Sequence, residues 1–139
     1  MNYQNYKFSF KLHPRWSDMD ELHHINNAVY LTYLEDARGR FLHEVANWNW
    51  NIDGIILANV NINYRKPMSF LDEASVFVRT SKIGEKSFEL SYAVVRKVNE
   101  EWELVADATT VLVMFDYKTQ SSIKIPDHLK NKLIHFDAL

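Results

Sequence analysis

Arg15-Trp16-Ser17-Asp18-Met19-Asp20-Glu21-Leu22-His23-His24-Ile25-Asn26-Asn27-Ala28-Val29-Tyr30 is the stretch on which the reading of this chain turns. It crowds two aspartates, two histidines and two asparagines into a loop just ahead of a long amphipathic segment. From about Asn27 the apolar positions Tyr30, Leu31, Leu34, Ala37, Phe41, Leu42 and Val45 recur at spacings of three and four, which predicts a helix. Asn26 or Asn27 is its natural N-cap. A helix N-terminus presents unpaired backbone N–H groups and the positive end of the macrodipole, so it polarises a carbonyl and stabilises an oxyanion. A carboxylate held beside that spot activates water or attacks the carbonyl itself. Those are the two requirements of acyl transfer.

Working outward, Phe8, Phe10 and Leu12 alternate with Lys7, Ser9 and Lys11, the period of a half-buried strand running toward Trp16. Beyond the helix, Ile55–Tyr64, Glu73–Ile83, Lys86–Lys97 and Trp102–Tyr117 read as four more strands, interrupted at Pro67, Gly84 and Asn99-Glu100-Glu101. A short helix follows Pro126. The order of one strand, one long helix and four strands predicts a single α+β domain over 1–139: an antiparallel meander of about five strands wrapped around one central helix. The uncovered edge and remaining apolar surface invite a partner subunit, so a homodimer is expected. Gly39 inside the helix costs about 1 kcal/mol relative to alanine, which predicts close packing there, with a strand passing beneath. Trp48 and Trp50 fit either the wall of an acyl pocket or a loop packed on the sheet.

Composition removes several functions. Lys and Arg number 16 against 18 Asp and Glu, a net charge of −2, which does not favour nucleic acid or an anionic membrane as partner. The absence of cysteine excludes disulfide frameworks, thiolate metal sites and cysteine nucleophiles. Three glycines cannot build a glycine-rich phosphate cradle. No apolar run approaches the roughly 18 residues of a membrane span, and the N-terminal segment lacks a secretory h-region, so the expected location is the cytoplasm. His23, His24 and Asp20 lack a metal-ligand spacing, and no metal is expected.

The string R-W-S-D-M-D-x-x-H-H-I-N-N-A-V-Y-L-x-Y-L-E-x-A-R resembles the signature of the hotdog-fold thioesterases, in particular the 4-hydroxybenzoyl-CoA thioesterase-like, or YbgC-like, group. It is also similar to the D-x-D-x-x-x-H-V-N-N segment of acyl-carrier-protein thioesterases. The resemblance continues through Asn63-Tyr64-Arg65-Lys66-Pro67 and Ile83-Gly84-Glu85-Lys86-Ser87-Phe88 to Ile125-Pro126, nearly the whole chain. It implies a hotdog fold and an acyl-CoA thioesterase that releases a carboxylic acid and coenzyme A, with no cofactor beyond the coenzyme A of the substrate. It implies a homodimer or homotetramer with active sites at the subunit interface. By the same resemblance Asp20 matches the catalytic carboxylate, as base or nucleophile, and the backbone N–H near Asn27 matches the carbonyl-polarising group. His24 and Asn27 would orient the thioester or its water, with Asn26 and Tyr30 lining the substrate and Arg65 and Lys86 meeting coenzyme A phosphates. Asp18 is the structural member of the Asp pair, and Glu35 or Asp36 is the place to seek an alternative helix-borne acid.

Three departures stand out. His23 occupies the place where the group often has glycine, Leu22 replaces a loop asparagine of the carrier-protein enzymes, and Pro67 lies where those enzymes commonly carry an acid. Hydrolysis of acyl-carrier-protein thioesters, and non-catalytic binding or sensing of acyl-CoA, are the alternative readings.

Overall fold

The computed structural model describes residues 5–139; residues 1–4 of the single-domain span expected over 1–139 lie outside the described residues. Strand β1 covers Phe8–Leu12, a 3-10 turn follows at Trp16–Asp18, and helix α1 runs over Val29–Ala46. Strands β2 (Ile55–Tyr64), β3 (Ala74–Ile83), β4 (Ser87–Val98), β5 (Glu101–Asp116) and β6 (Ser121–Ser122) come next, and helix α2 (Asp127–Asp137) closes the chain.

All strand pairs are antiparallel, in the order β1-β3-β4-β5-β2 with the two-residue β6 paired to β5. The fold is the expected α+β arrangement of a curved sheet about one long helix, but it is not the simple meander. Only β3, β4 and β5 follow one another, whereas β2 crosses over to pair with β5 at the far edge, Tyr64 opposite Ala106. Alternation along β2 identifies a strand but not its neighbour, because pairing is decided by long-range packing.

Helix α1 buries Tyr30, Leu34, Ala37, Phe41 and Leu42, the stripe that the spacing of three and four foretold. Opposite it, β4 and β5 turn Phe88, Leu90, Tyr92, Val94, Leu112 and Met114 inward. Each fully buried leucine contributes about 1.5–3 kcal/mol by leaving water. Helix α2 adds Leu129 and Leu133 to this core and sets Phe136 edge-on to Phe41 at 6.1 Å.

The close packing expected at Gly39 is found at Gly54 instead. Outside its own helix, a Cβ at Gly39 would meet nothing within 4 Å, so no strand packs tightly against it. At Gly54 a Cβ would collide with the Phe115 carbonyl oxygen and the Tyr117 ring, so the β2–β5 seam closes only over a glycine. Helix α1 also begins later than expected. Asn26 Oδ1 accepts the Ala28 N–H at 2.9 Å in a local turn, and Ala28, not Asn26 or Asn27, holds the N-cap position without a side-chain cap. Asparagine side chains favour such turns over helix, which delays the first helical residue to Val29.

Candidate active site

The loop between β1 and α1 folds back on itself as a miniature hairpin. Met19 and Ile25 form an isolated bridge, the Asp20 N–H donates to the His24 carbonyl at 2.8 Å, and the Asn26 N–H donates to the Asp18 carbonyl at 2.9 Å. Ile25 is buried and its N–H donates to the Met68 carbonyl at 2.7 Å, which anchors the hairpin to the β2–β3 connection. The ladder therefore sets Asp20 beside His24, three residues before Asn27 and five before Val29, where α1 begins.

The two aspartates of the loop have different surroundings. Asp18 is buried, accepting from the Arg15 N–H at 2.9 Å, from the Arg15 guanidinium at 2.9 and 3.1 Å, and from the Tyr33 hydroxyl at 2.7 Å. Burial works to raise its pKa, but the Arg15 N–H, the Tyr33 hydroxyl and the Arg15 charge outweigh it and hold the carboxyl below the ordinary aspartate range. Burial and the Asp18 acceptor in turn push the Tyr33 hydroxyl far up. Asp18 thus ties the loop to α1, the structural role expected of it.

Asp20 is partly exposed. Its Oδ1 accepts from the Leu22 N–H at 2.9 Å and the His24 N–H at 3.2 Å, while its Oδ2 accepts no hydrogen bond from any described residue. Two backbone donors thus fix the carboxylate plane and leave one oxygen available. This turn forces His23 to φ 62°, the left-handed region that glycine enters freely, so the departure from the group's usual glycine keeps the glycine conformation. The His23 ring lies against Trp16, centroids 6.4 Å apart.

At the helix start, the Asn27 N–H has no acceptor among the described residues, and the Asn27 carbonyl accepts the Tyr64 hydroxyl at 2.7 Å. The end of β2 therefore pins the peptide that carries the open donor. Tyr64 and Tyr33, which hold the two ends of this loop, escaped the sequence reading as positioning residues; their signal was their place in the segments Asn63-Tyr64-Arg65 and Tyr30-x-x-Tyr33.

The remaining expected site residues are dispersed. His24, Asn26 and Asn27 are exposed on the loop, and neither the His24 ring nor the Asn27 carboxamide has a hydrogen bond among the described residues. Tyr30 is buried, edge-on to Tyr64 at 5.3 Å, and burial with Tyr64 beside it pushes its pKa up to about 12. Arg65 shares the loop's end of the sheet and donates to Asp107 at 2.8 Å. Lys86 does not share that end. Ser87 next to it pairs with Val113, whereas the Tyr64 level lies at Val94, seven residues along β4, or about 23 Å at 3.3 Å per residue. Asp36 is paired with Arg40 at 2.9 Å and Glu35 is exposed, both on the outer side of α1. Of the two tryptophans, Trp48 is buried with its indole N–H donating to the Asp53 carbonyl, and Trp50 is exposed.

A model of the thioesterase-like superfamily matches residues 14–133. The chain is 34% identical over 119 residues to the long-chain acyl-CoA thioesterase FadM of Escherichia coli K12, covering 83% of this chain and 88% of that protein. Among solved structures it resembles the probable thioesterase YbaW of Escherichia coli, with 31% identity, a TM-score of 0.77 and coverage of 90% and 95% of the two chains. It also resembles a thioesterase of Thermus thermophilus complexed with coenzyme A and zinc, with 25% identity, a TM-score of 0.85 and 98% of both chains covered.

Proposed function

The chain belongs to the thioesterase-like superfamily, and from that premise we propose that it is an acyl-CoA thioesterase whose reaction centre is the space between Asp20 Oδ2 and the Asn27 N–H. The observation that carries the assignment of residues is the pairing of one oriented, half-free carboxylate with one acceptor-less backbone donor on the same short hairpin.

In this reading the Asn27 N–H, at the positive end of α1, donates to the thioester carbonyl oxygen and strengthens that bond as negative charge develops. Asp20 Oδ2 takes a proton from water as the water adds to the carbonyl carbon, or adds itself to form an acyl-aspartyl anhydride that water then hydrolyses to the acid; either route expels the coenzyme A thiolate, a leaving group that needs little protonation. The His24 ring and Asn27 carboxamide, exposed beside this space, orient the thioester or the water. Arg65, at the same end of the sheet, is the cation that supports the phosphates, whereas Lys86 of the same chain is too distant.

The minimal working unit in this proposal is a homodimer. Strand β2 is a ten-residue edge with Ile56 and Leu57 exposed, and a long apolar edge is a template for another strand. A second copy would cover it. Among the described residues no helix is long and apolar enough to cross a membrane, and a cysteine-free chain acting on coenzyme A esters suits the reducing cytoplasm.

The test is thiol release from a panel of short, long and aromatic acyl-CoAs, with acyl carrier protein thioesters alongside. Turnover of one acyl-CoA class supports the proposal and names the acyl group. Turnover of the carrier-protein esters alone, or tight binding of acyl-CoA without thiol release, overturns it.

A further inference from the structure

The hairpin that carries Asp20 is held from outside by the turn at 67–72, in the connection from β2 to β3. The Met68 carbonyl accepts the Ile25 N–H at 2.7 Å, and the Ser69 hydroxyl lies 3.8 Å from the Met19 sulfur. Met19 and Ile25 are the bridged pair that brackets the hairpin, so the turn grips both of its legs. The Phe70 ring adds an edge-on contact with Trp16 at 5.3 Å. The place of the Asp20 carboxylate is therefore inherited from the place of this turn.

The turn in turn depends on one side chain of β4. Its flanks are tied through the backbone: the Lys66 N–H donates to the Val105 carbonyl at 3.1 Å, and the Glu73 carbonyl accepts the Lys97 N–H at 2.8 Å. Between those ties, Arg96 alone among the described sheet residues forms a hydrogen bond or ion pair with 67–72. Its Nη1 donates to the Pro67 carbonyl at 3.1 Å and lies 3.6 Å from Asp72 Oδ2. That Asp72 oxygen also accepts the Ser69 N–H at 2.8 Å, so a single guanidinium nitrogen reaches the first and last residues of the turn. Glu103, the cross-strand neighbour on β5, anchors the opposite side of the guanidinium, its Oε1 accepting from Nε at 3.0 Å and from Nη2 at 2.8 Å. A rigid planar fork can join these groups in fixed directions, and an ammonium on a flexible stem cannot.

Magnitudes separate stability from catalysis here. The side chains of Arg96, Asp72 and Glu103 are each about a quarter exposed, and ion pairs open to water add little to folding stability. Reaction rate responds far more steeply to position, since a misplacement of about 1 Å can cost about 100-fold. We infer that Arg96 is a positioning residue for thioester hydrolysis, acting through the 67–72 turn to set the Asp20 carboxylate without touching substrate. This rests on the role given to Asp20 above.

Arg96→Met keeps an unbranched stem and removes the fork. With the best acyl-CoA substrate, kcat should fall about tenfold while KM moves less than about twofold, because the base shifts and the binding surface stays. Millimolar guanidinium ion should raise the kcat of Arg96→Met about threefold by bridging Glu103 and Pro67 again, and leave wild type unchanged. Arg96→Lys should stay within about twofold of Arg96→Met, for want of the second donor direction. Lys124→Gln, which breaks the pair with Glu85 at the other end of the sheet, should keep wild-type kcat. Amide hydrogen exchange at Ile25 reads the same link without any reaction and should quicken about tenfold in Arg96→Met. If Arg96→Met does not fold, Glu103→Gln decides by the same readouts, with kcat expected to fall about two- to threefold. A folded variant with wild-type kcat overturns the inference, as does a kcat loss that neither guanidinium restores nor faster Ile25 exchange accompanies. A wild-type chain that releases no thiol, while Ile25 exchange still responds to Arg96→Met, overturns the thioesterase reading and leaves the mechanical link standing.

Discussion

The Trp16–Asp18 turn and the Asp20–His24 turn are neighbours in one loop, each built around an aspartate, and they treat that aspartate in opposite ways. Asp18 receives donors on both oxygens from Arg15 and Tyr33 and is buried. Asp20 receives two backbone donors on one oxygen and keeps the other open. A fully satisfied buried carboxylate is a fastener, whereas a carboxylate oriented through one oxygen is a tool with a fixed handle. Under the proposed function, stability belongs to the first aspartate and chemistry to the second, and each role has its own measurement.

The largest effect should come from Asp20→Asn. The amide oxygen still accepts from the Leu22 and His24 N–H groups, so the turn survives and the melting temperature should stay within about 2 °C. Thiol release should nevertheless fall by about 100-fold or more, the usual loss when a general base is removed. A folded variant retaining more than a tenth of wild-type kcat/KM would reverse the roles given to the two turns.

Asp18→Asn comes next, with the opposite signature. It removes the acceptor charge facing Arg15 and disturbs the Tyr33 bond, at a cost of about 2 kcal/mol in denaturant unfolding. Activity should fall only several-fold, through the displaced loop. The pH dependence sharpens the contrast. Because the native Asp18 carboxyl lies below its ordinary value, its stabilisation is complete above an unfolded-state pKa of about 3.9 and is lost as pH falls through the lower native value. Unfolding free energy plotted against pH should therefore fall less steeply below pH 4 in Asp18→Asn than in wild type. Equal slopes would remove the fastener role.

The sequence could not separate these two aspartates by spacing alone, since both stand in the same polar run; the family motif ranked them, and the donors from Arg15 and Tyr33 give the physical reason. Other features were legible for a local cause. The alternation at Phe8, Phe10 and Leu12 and the stripe from Tyr30 to Leu42 reappear as β1 and the buried face of α1, because burial imposes those periods directly. What the sequence hid was long-range. The place of β2 beside β5, the crowding at Gly54 in place of Gly39, and the distance of Lys86 from the loop all depend on which strands pair, and periodicity carries no such information. The start of α1 was misplaced by a local contest, in which Asn26 folded onto the Ala28 N–H instead of capping the helix.

Tyr33→Phe cuts a single bond of the Asp18 cluster and should cost about 1 kcal/mol, half the effect of Asp18→Asn. The two losses should not add in the double variant, because both report one hydrogen-bonded unit. An additive result would mean that the Tyr33 hydroxyl stabilises the fold independently of Asp18, since phenylalanine keeps the ring and its edge contact with Tyr30 at 6.0 Å.

The smallest effect belongs to His23, and its sign is the informative part. A left-handed residue with a Cβ costs about 1 kcal/mol or more relative to glycine, and His23 offsets part of this by resting its ring against Trp16. His23→Gly relieves the backbone and loses the ring contact, so the net change should be a stabilisation of about 0.5 kcal/mol. His23→Ala loses the contact without relieving the backbone and should destabilise by a similar amount. Opposite signs in chemical unfolding would establish that the Asp20 turn holds backbone strain at the position beside the carboxylate; equal losses would mean that the His23 ring, not the turn, is what the fold retains there. Activity separates the two turns once more, because a looser residue 23 frees the His24 N–H that steadies Asp20 Oδ1. His23→Gly should therefore be slightly more stable and about two- to threefold slower, the loss falling in kcat, since orientation of the base matters in the chemical step.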